Sequence, residues 1–189
     1  MPTADPFERS LVYEDDLPLG WEAVDALPSA QRLATLNAGN EAMLRVREGL
    51  DEPPRSTEES QEFAQEFQRL DSKLNLILEL LAEWLRRQGD LPPVLPLRFN
   101  ARGIAWRSDD RPPADALVRL QLYICPTFPK PLVLYGRVLP GAPGDDDAVV
   151  TFEGLSTGLV DGLERLVFRR HRREVAQLRG QQRAGTGED

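Results

Sequence analysis

The chain has 189 residues, 41% hydrophobic and 29% charged, with a net charge of −8. That length suits one domain with an attachment and a real core, and no run approaches the roughly 18 apolar residues of a membrane span. One cysteine, Cys125, excludes an internal disulfide, and the acidic, proline-bearing start has no signal-peptide core, so the cytosol is the expected compartment.

The segment 1–28 carries four prolines and a clear excess of acids, with Phe7, Leu11, Val12, Tyr13 and Trp21 as isolated apolar anchors. It reads as an extended arm that lies on the fold without forming an element. Ser29 caps a helix running to about Leu50, in which Leu33, Leu36, Asn40, Met43, Arg47 and Leu50 step by three and four residues. Asn40 either sits in a coiled-coil seam, where an amide sets register at a cost in stability, or faces solvent on a short packed helix.

Asp51-Glu-Pro-Pro54 breaks the chain, because proline lacks the amide donor and restricts the residue before it. Ser56-Thr-Glu-Glu59 is a capping box that starts a second, longer helix. Within it Phe63, Phe67, Leu70, Leu74, Ile77, Leu81 and Trp84 alternate steps of four and three, a heptad seam of about three repeats. Leu76, Leu78, Leu80 and Leu85 lie off the seam, so two chains leave apolar surface uncovered and four cover more. Arg86, Arg87, Gly89 and the prolines at 92 and 93 end the helix. Residues 29–90 are therefore expected to form a helical oligomerisation region that makes a homotetramer.

Beyond Pro93 the pattern changes to strands. Leu95–Trp106 holds a strand or tight pair around Gly103; Ala116–Ile124, Leu132–Leu139 and Ala148–Glu153 follow. Consecutive strands without helices between them suggest an antiparallel barrel or sandwich. Asp161 opens a final arginine-rich helix, and residues 181–189 read as a disordered tail. The C-terminal basic residues balance against too much acid elsewhere to suit duplex nucleic acid.

Local chemistry offers no enzyme. His171 has no second histidine to complete a metal pair or a triad. Cys125 has no activator in its sequence neighbourhood, Asp145–Asp147 lacks calcium-loop spacing, and Gly154–Gly158 lacks the lysine of a phosphate loop. Catalytic residues, metal ligands and a required cofactor are all expected to be absent.

With Leu97-Arg-Phe-Asn-Ala-Arg-Gly-Ile-Ala-Trp106, Ala116–Ile124, Pro131–Val138 and Leu163–Glu174, the chain resembles a PilZ domain over residues 93–180. With the helices back to about residue 29 it is most similar to the atypical subfamily that tetramerises through long helices. The resemblance implies an α+β fold: a six-stranded antiparallel β-barrel, two helices before it and one after. It also implies a place in a cyclic di-GMP pathway. Standard members hold that ligand with RxxxR, whose guanidinium groups fork onto phosphates, and with D/NxSxxG, whose polar groups meet a guanine edge.

Here the second motif falls on Arg98, Phe99, Asn100, Ala101, Arg102 and Gly103, and only the glycine is kept. Upstream, Arg86-Arg87-Gln-Gly-Asp90 lacks the second arginine. These departures imply that standard cyclic di-GMP binding is lost or greatly weakened, leaving a non-catalytic scaffold for an unidentified protein partner. The alternative is a receptor with an atypical site built from Arg98, Asn100, Arg102 and Gly103 or from Arg169, Arg170, Arg172 and Arg173.

Overall fold

The computed structural model describes residues 5–51, 61–88, 91–125, 130–141 and 147–184. In chain order these form β1 (Tyr13–Ala23), α1 (Ala30–Asp51), α2 (Gln61–Gln88), β2 (Val94–Phe99), β3 (Gly103–Arg107), β4 (Leu117–Leu122), β5 (Leu132–Val138), β6 (Asp147–Glu153) and α3 (Thr157–Ala184). The strands close into an antiparallel barrel in the order β1-β2-β3-β6-β5-β4, so the α+β fold with a six-stranded barrel and three helices is as expected.

One strand comes from an unexpected place. The segment 1–28 is not merely an arm: Tyr13–Ala23 is the strand that closes the barrel. Its first half pairs with β2 (Tyr13 opposite Phe99, Pro18 opposite Val94), and its second half pairs with β4 (Leu19 opposite Leu122, Ala23 opposite Val118). Pro18 stands where the strand passes from one neighbour to the other, the position at which a missing amide costs least. Its carbonyl still accepts the Tyr123 amide at 3.1 Å.

Alternation along the strands fills the interior with Leu19, Phe99, Ile104, Val118, Leu120 and Leu134, all essentially inaccessible to water. Ser156, rather than Asp161, caps α3: its Oγ accepts the Leu159 amide at 3.1 Å, and the helix starts at Thr157. Leu159, Leu163, Leu166 and Val167, spaced four, three and one, turn a single face of α3 into the core. The helix continues to Ala184, into the segment expected as a tail, and residues 185–189 lie outside the described ones.

The helix α1 also departs from expectation. It begins as anticipated after Ser29, whose Oγ accepts the Arg32 amide at 3.4 Å, but within the chain it packs on the barrel body. It packs on α3 and on β5 through polar side chains at helical spacing. Asn37 donates to the Gly154 carbonyl at 2.9 Å, and Glu41 accepts the Ser156 hydroxyl at 2.7 Å. Glu48 pairs with Arg165 at 3.0 Å and with Arg169 at 3.7 Å.

Asn40 is neither in a coiled-coil seam nor in solvent. It is buried, with its amide nitrogen 2.7 Å from the Val133 carbonyl and its oxygen accepting the Val133 amide at 3.0 Å. The β5–β6 ladder covers only Tyr135 to Val138, so the asparagine acts as a short substitute strand where β6 is missing. Met43 and Leu44 complete the contact, and Gly162 of α3 lets the helices approach: a Cβ there would lie 2.8 Å from Leu44 Cδ1.

No element of the described chain makes an extended contact with α2. Leu70, Leu74, Leu76, Ile77, Leu80, Leu81 and Trp84 are between 46% and 62% exposed, and Leu78 is partly covered. The capping box at 56–59 and the helix stop at 89–90 lie outside the described residues, as do the side chains of Phe63, Phe67 and Leu85.

Candidate functional site

The residues aligned with D/NxSxxG, Arg98 to Gly103, run from the end of β2 through a tight turn to the start of β3. Asn100 shapes that turn: its Oδ1 accepts the amides of Arg102 at 2.7 Å and Gly103 at 3.1 Å, while its own amide bonds the Gly103 carbonyl at 3.0 Å. The side chain is 4% exposed, so it is an interior brace of the turn, not a surface hook. Its remaining donor, Nδ2, goes to the carbonyl of Pro6 at 2.8 Å.

That bond introduces the segment before β1. Residues 5–10 cross the turn as a compact coil, in which Asp5 Oδ1 accepts the Phe7 amide at 2.9 Å and the Asp5 carbonyl accepts the Glu8 amide at 3.2 Å. Pro6 is buried against Gly103, where a Cβ would stand 3.0 Å from the proline ring and 2.5 Å from the Val150 carbonyl. Only glycine permits this approach.

The guanidinium of Arg98 lies 4.8 Å over the Phe7 ring and 3.7 Å from the Asp147 carboxylate. The guanidinium of Arg102 donates to the Glu8 carbonyl at 3.1 Å and to the Ser10 hydroxyl. Thus Arg98, Asn100, Arg102 and Gly103 do come together, and each meets the chain's own N-terminal segment.

Next to the turn is an open groove of about 610 Å³ between Leu11, Ala101 and the exposed edge of α3 at Phe168. Its charged rim is mixed, with Arg102 and Arg165 set against Asp161 and Glu164. Such a rim offers a phosphate group little net attraction.

Of the α3 arginines, Arg165 stands on this rim and Arg172 beside Phe168 at its edge, while the others turn elsewhere. Arg169 turns to Glu48 of α1, and Arg172 lies 5.9 Å over Phe168. Arg170 caps the ring of Tyr13 at 5.4 Å, bonds Glu174 at 2.8 Å and stands 3.7 Å from Asp15. Arg173 and His171 are exposed. The basic run is therefore divided among separate tasks, several of them bracing the helix on the barrel.

Tyr13 is the residue that sequence reasoning undervalued. Its ring stacks on Phe99 at 4.8 Å, and its phenol donates to Asp15 Oδ2 at 3.2 Å. Burial, and next the Asp15 charge, push the phenol pKa above its ordinary value. The available signal was alternation, since Leu17, Leu19 and Trp21 follow Tyr13 at even spacing.

Elsewhere the chemistry is structural. Cys125 is buried, and Asp147 pairs with Arg107 at 3.2 Å as well as with Arg98, while Asp145 and Asp146 lie outside the described residues. Among the described residues no group of three or more metal-ligating side chains occurs, and no helix is long and apolar enough to cross a membrane. The side chain of Arg86, with Gly89 and Asp90, is outside the described set, so the RxxxR position carries no geometry.

Likeness to known proteins places this architecture. No curated protein matches the chain. A solved structure of a pathogenic protein from Xanthomonas campestris, described as a new tetrameric PilZ domain self-assembled via an unusual helical bundle, is 28% identical. It superposes with a TM-score of 0.72, over 90% of this chain and 93% of that one. A family model described as an atypical PilZ domain, cyclic di-GMP receptor, matches residues 41–180, from the middle of α1 through α3 and thus without β1. With most of its length under that model, and with a closed barrel carrying its arginine-rich helix, the chain belongs to the atypical PilZ family of cyclic di-GMP receptors.

Proposed function

We propose that the protein is a non-catalytic signalling scaffold of a cyclic di-GMP pathway, a homotetramer that displays four barrels whose standard ligand motifs are eroded. The observation that carries this reading is the apolar face of α2. Seven large side chains between Leu70 and Trp84 stand about half exposed, and among the described residues no element makes an extended contact along the helix. Covering the remainder contributes on the order of 1 kcal/mol each, and a patch of that extent is an association surface. Phe63, Phe67 and Leu85 continue the same face in sequence, and the neighbouring Xanthomonas structure is tetrameric through a helical bundle.

Sedimentation equilibrium at micromolar concentration tests it. The full chain is expected at four times the mass of one, and Ile77→Asp with Leu81→Asp lowers that mass while near-ultraviolet circular dichroism keeps the barrel signature. A monomeric full chain, or a tetramer indifferent to both aspartates, refutes the reading.

A second reading keeps nucleotide sensing. It rests on the family's description as a receptor and on two guanidinium groups, Arg98 at the end of β2 and Arg102 in the turn after it, that both meet the segment 5–10. Its mark is saturable micromolar binding of cyclic di-GMP by the full chain, abolished by Arg98→Ala with Arg102→Ala.

A further inference from the structure

We infer that residues 5–10 are a tethered self-ligand, a detachable cover over the β2–β3 turn that competes with an anionic, phosphate-bearing ligand for Arg98 and Arg102. The inference deepens the scaffold reading, since it rests on the full chain being a poor nucleotide binder and supplies a physical cause.

The cover engages the turn as a ligand does. A ring stacks beneath one guanidinium, which also pairs with Asp147, a main-chain oxygen and a hydroxyl accept from the other, a carbonyl takes the side-chain amide of Asn100, and a proline fills the space left by Gly103. Carbonyl oxygens and an aromatic face are the neutral counterparts of phosphate oxygens and a stacked base. The fit is specific to this turn, because Gly103 leaves room for the proline ring and Asn100 has one donor left after bracing the turn.

Detachment is favoured by how the segment is held. Arg9 sits at φ 55°, the left-handed region that a side chain with Cβ adopts only under strain, and release relieves it. Glu8, Arg9 and Leu11 are exposed, so only Pro6 is truly buried. The barrel does not depend on the cover, since β1 starts at Tyr13. The short tether through Leu11 and Val12 keeps the segment at high effective concentration, so it outcompetes a free ligand unless it is displaced.

The test titrates cyclic di-GMP into three proteins: the full chain, a variant lacking residues 2–10, and full-length Phe7→Ala, which loosens the cover without shortening the chain. The variant lacking residues 2–10 is expected to bind at least about tenfold more tightly than the full chain, because an apparent dissociation constant rises by the inverse of the open fraction. Phe7→Ala falls between, and a synthetic peptide of residues 1–12 added to the shortened protein restores weak binding. Arg98→Ala with Arg102→Ala in the shortened protein removes the gain.

Equal tight binding by all three overturns both the cover and the loss of nucleotide binding in the scaffold reading. Equal absence of binding overturns the cover alone. A gain that survives the double arginine substitution or ignores the peptide also overturns it.

Discussion

Replacing Asn40 with leucine separates two accounts of α1 by the sign of the effect. In a coiled-coil seam a buried asparagine lowers stability, and leucine there raises it. In the structure Asn40 instead supplies both hydrogen bonds of Val133, at 2.7 and 3.0 Å, on the stretch of β5 that β6 does not cover. Leucine fits the length but returns neither bond, and leaves an amide and a carbonyl half-buried beneath a hydrocarbon. At about 1 to 2 kcal/mol for each stranded group the loss is about 2 to 4 kcal/mol. For a domain of this size that lowers the midpoint of thermal unfolding by roughly 5 to 15 °C. Circular dichroism melts measure it, and hydrogen exchange at the Val133 amide locates it, since that proton should exchange far faster in the variant. An unchanged or raised midpoint would refute the substitute-strand account.

Three further outcomes follow from the same contacts. Gly162→Val drives a side chain into Leu44 and should cost about 1 to 3 kcal/mol in urea unfolding; pairing it with Leu44→Ala should cost less than the sum of the two, because the new side chain fills the vacated space. Tyr13 holds its proton more tightly folded than unfolded, so its contribution to stability is intact below about pH 10 and is lost as pH rises through the folded value. Tyr13→Phe should flatten that alkaline decline, and an ultraviolet titration of the native protein should show one tyrosine ionising later than an exposed one. Gly103→Ala should weaken the barrel, because the new Cβ meets the Val150 carbonyl at 2.5 Å, and should make Arg9 a faster trypsin site by lifting Pro6.

The strands β2 to β6 were legible because apolar alternation is strong there and proline and glycine mark the ends. β1 was hidden by its own chemistry: Asp15 falls on the apolar side of the alternation, Pro18 sits within the run, and both its partners come much later in the chain. The setting of Asn40 in α1 was misread for a related reason. Three-and-four spacing looks the same whether the face meets another helix or a sheet, and the deciding contacts of Asn37, Asn40 and Glu41 are with residues about a hundred positions away. At the candidate site the run Arg98–Gly103 could be read directly, whereas its contacts with residues 5–10 could not, because Asn100 to Pro6 and Arg102 to Glu8 are each 94 residues apart.

Because β1 precedes both helices yet pairs with β2 and β4, the order of synthesis differs from the order of closure. The first strand leaves the ribosome without a neighbour and lacks its second one until Leu122 has been made, while α2 has only local hydrogen bonds to form and does so quickly. The surface proposed to join chains is thus ready before the barrel it carries is complete. Neighbouring nascent chains on one message could therefore find each other first and finish folding as companions.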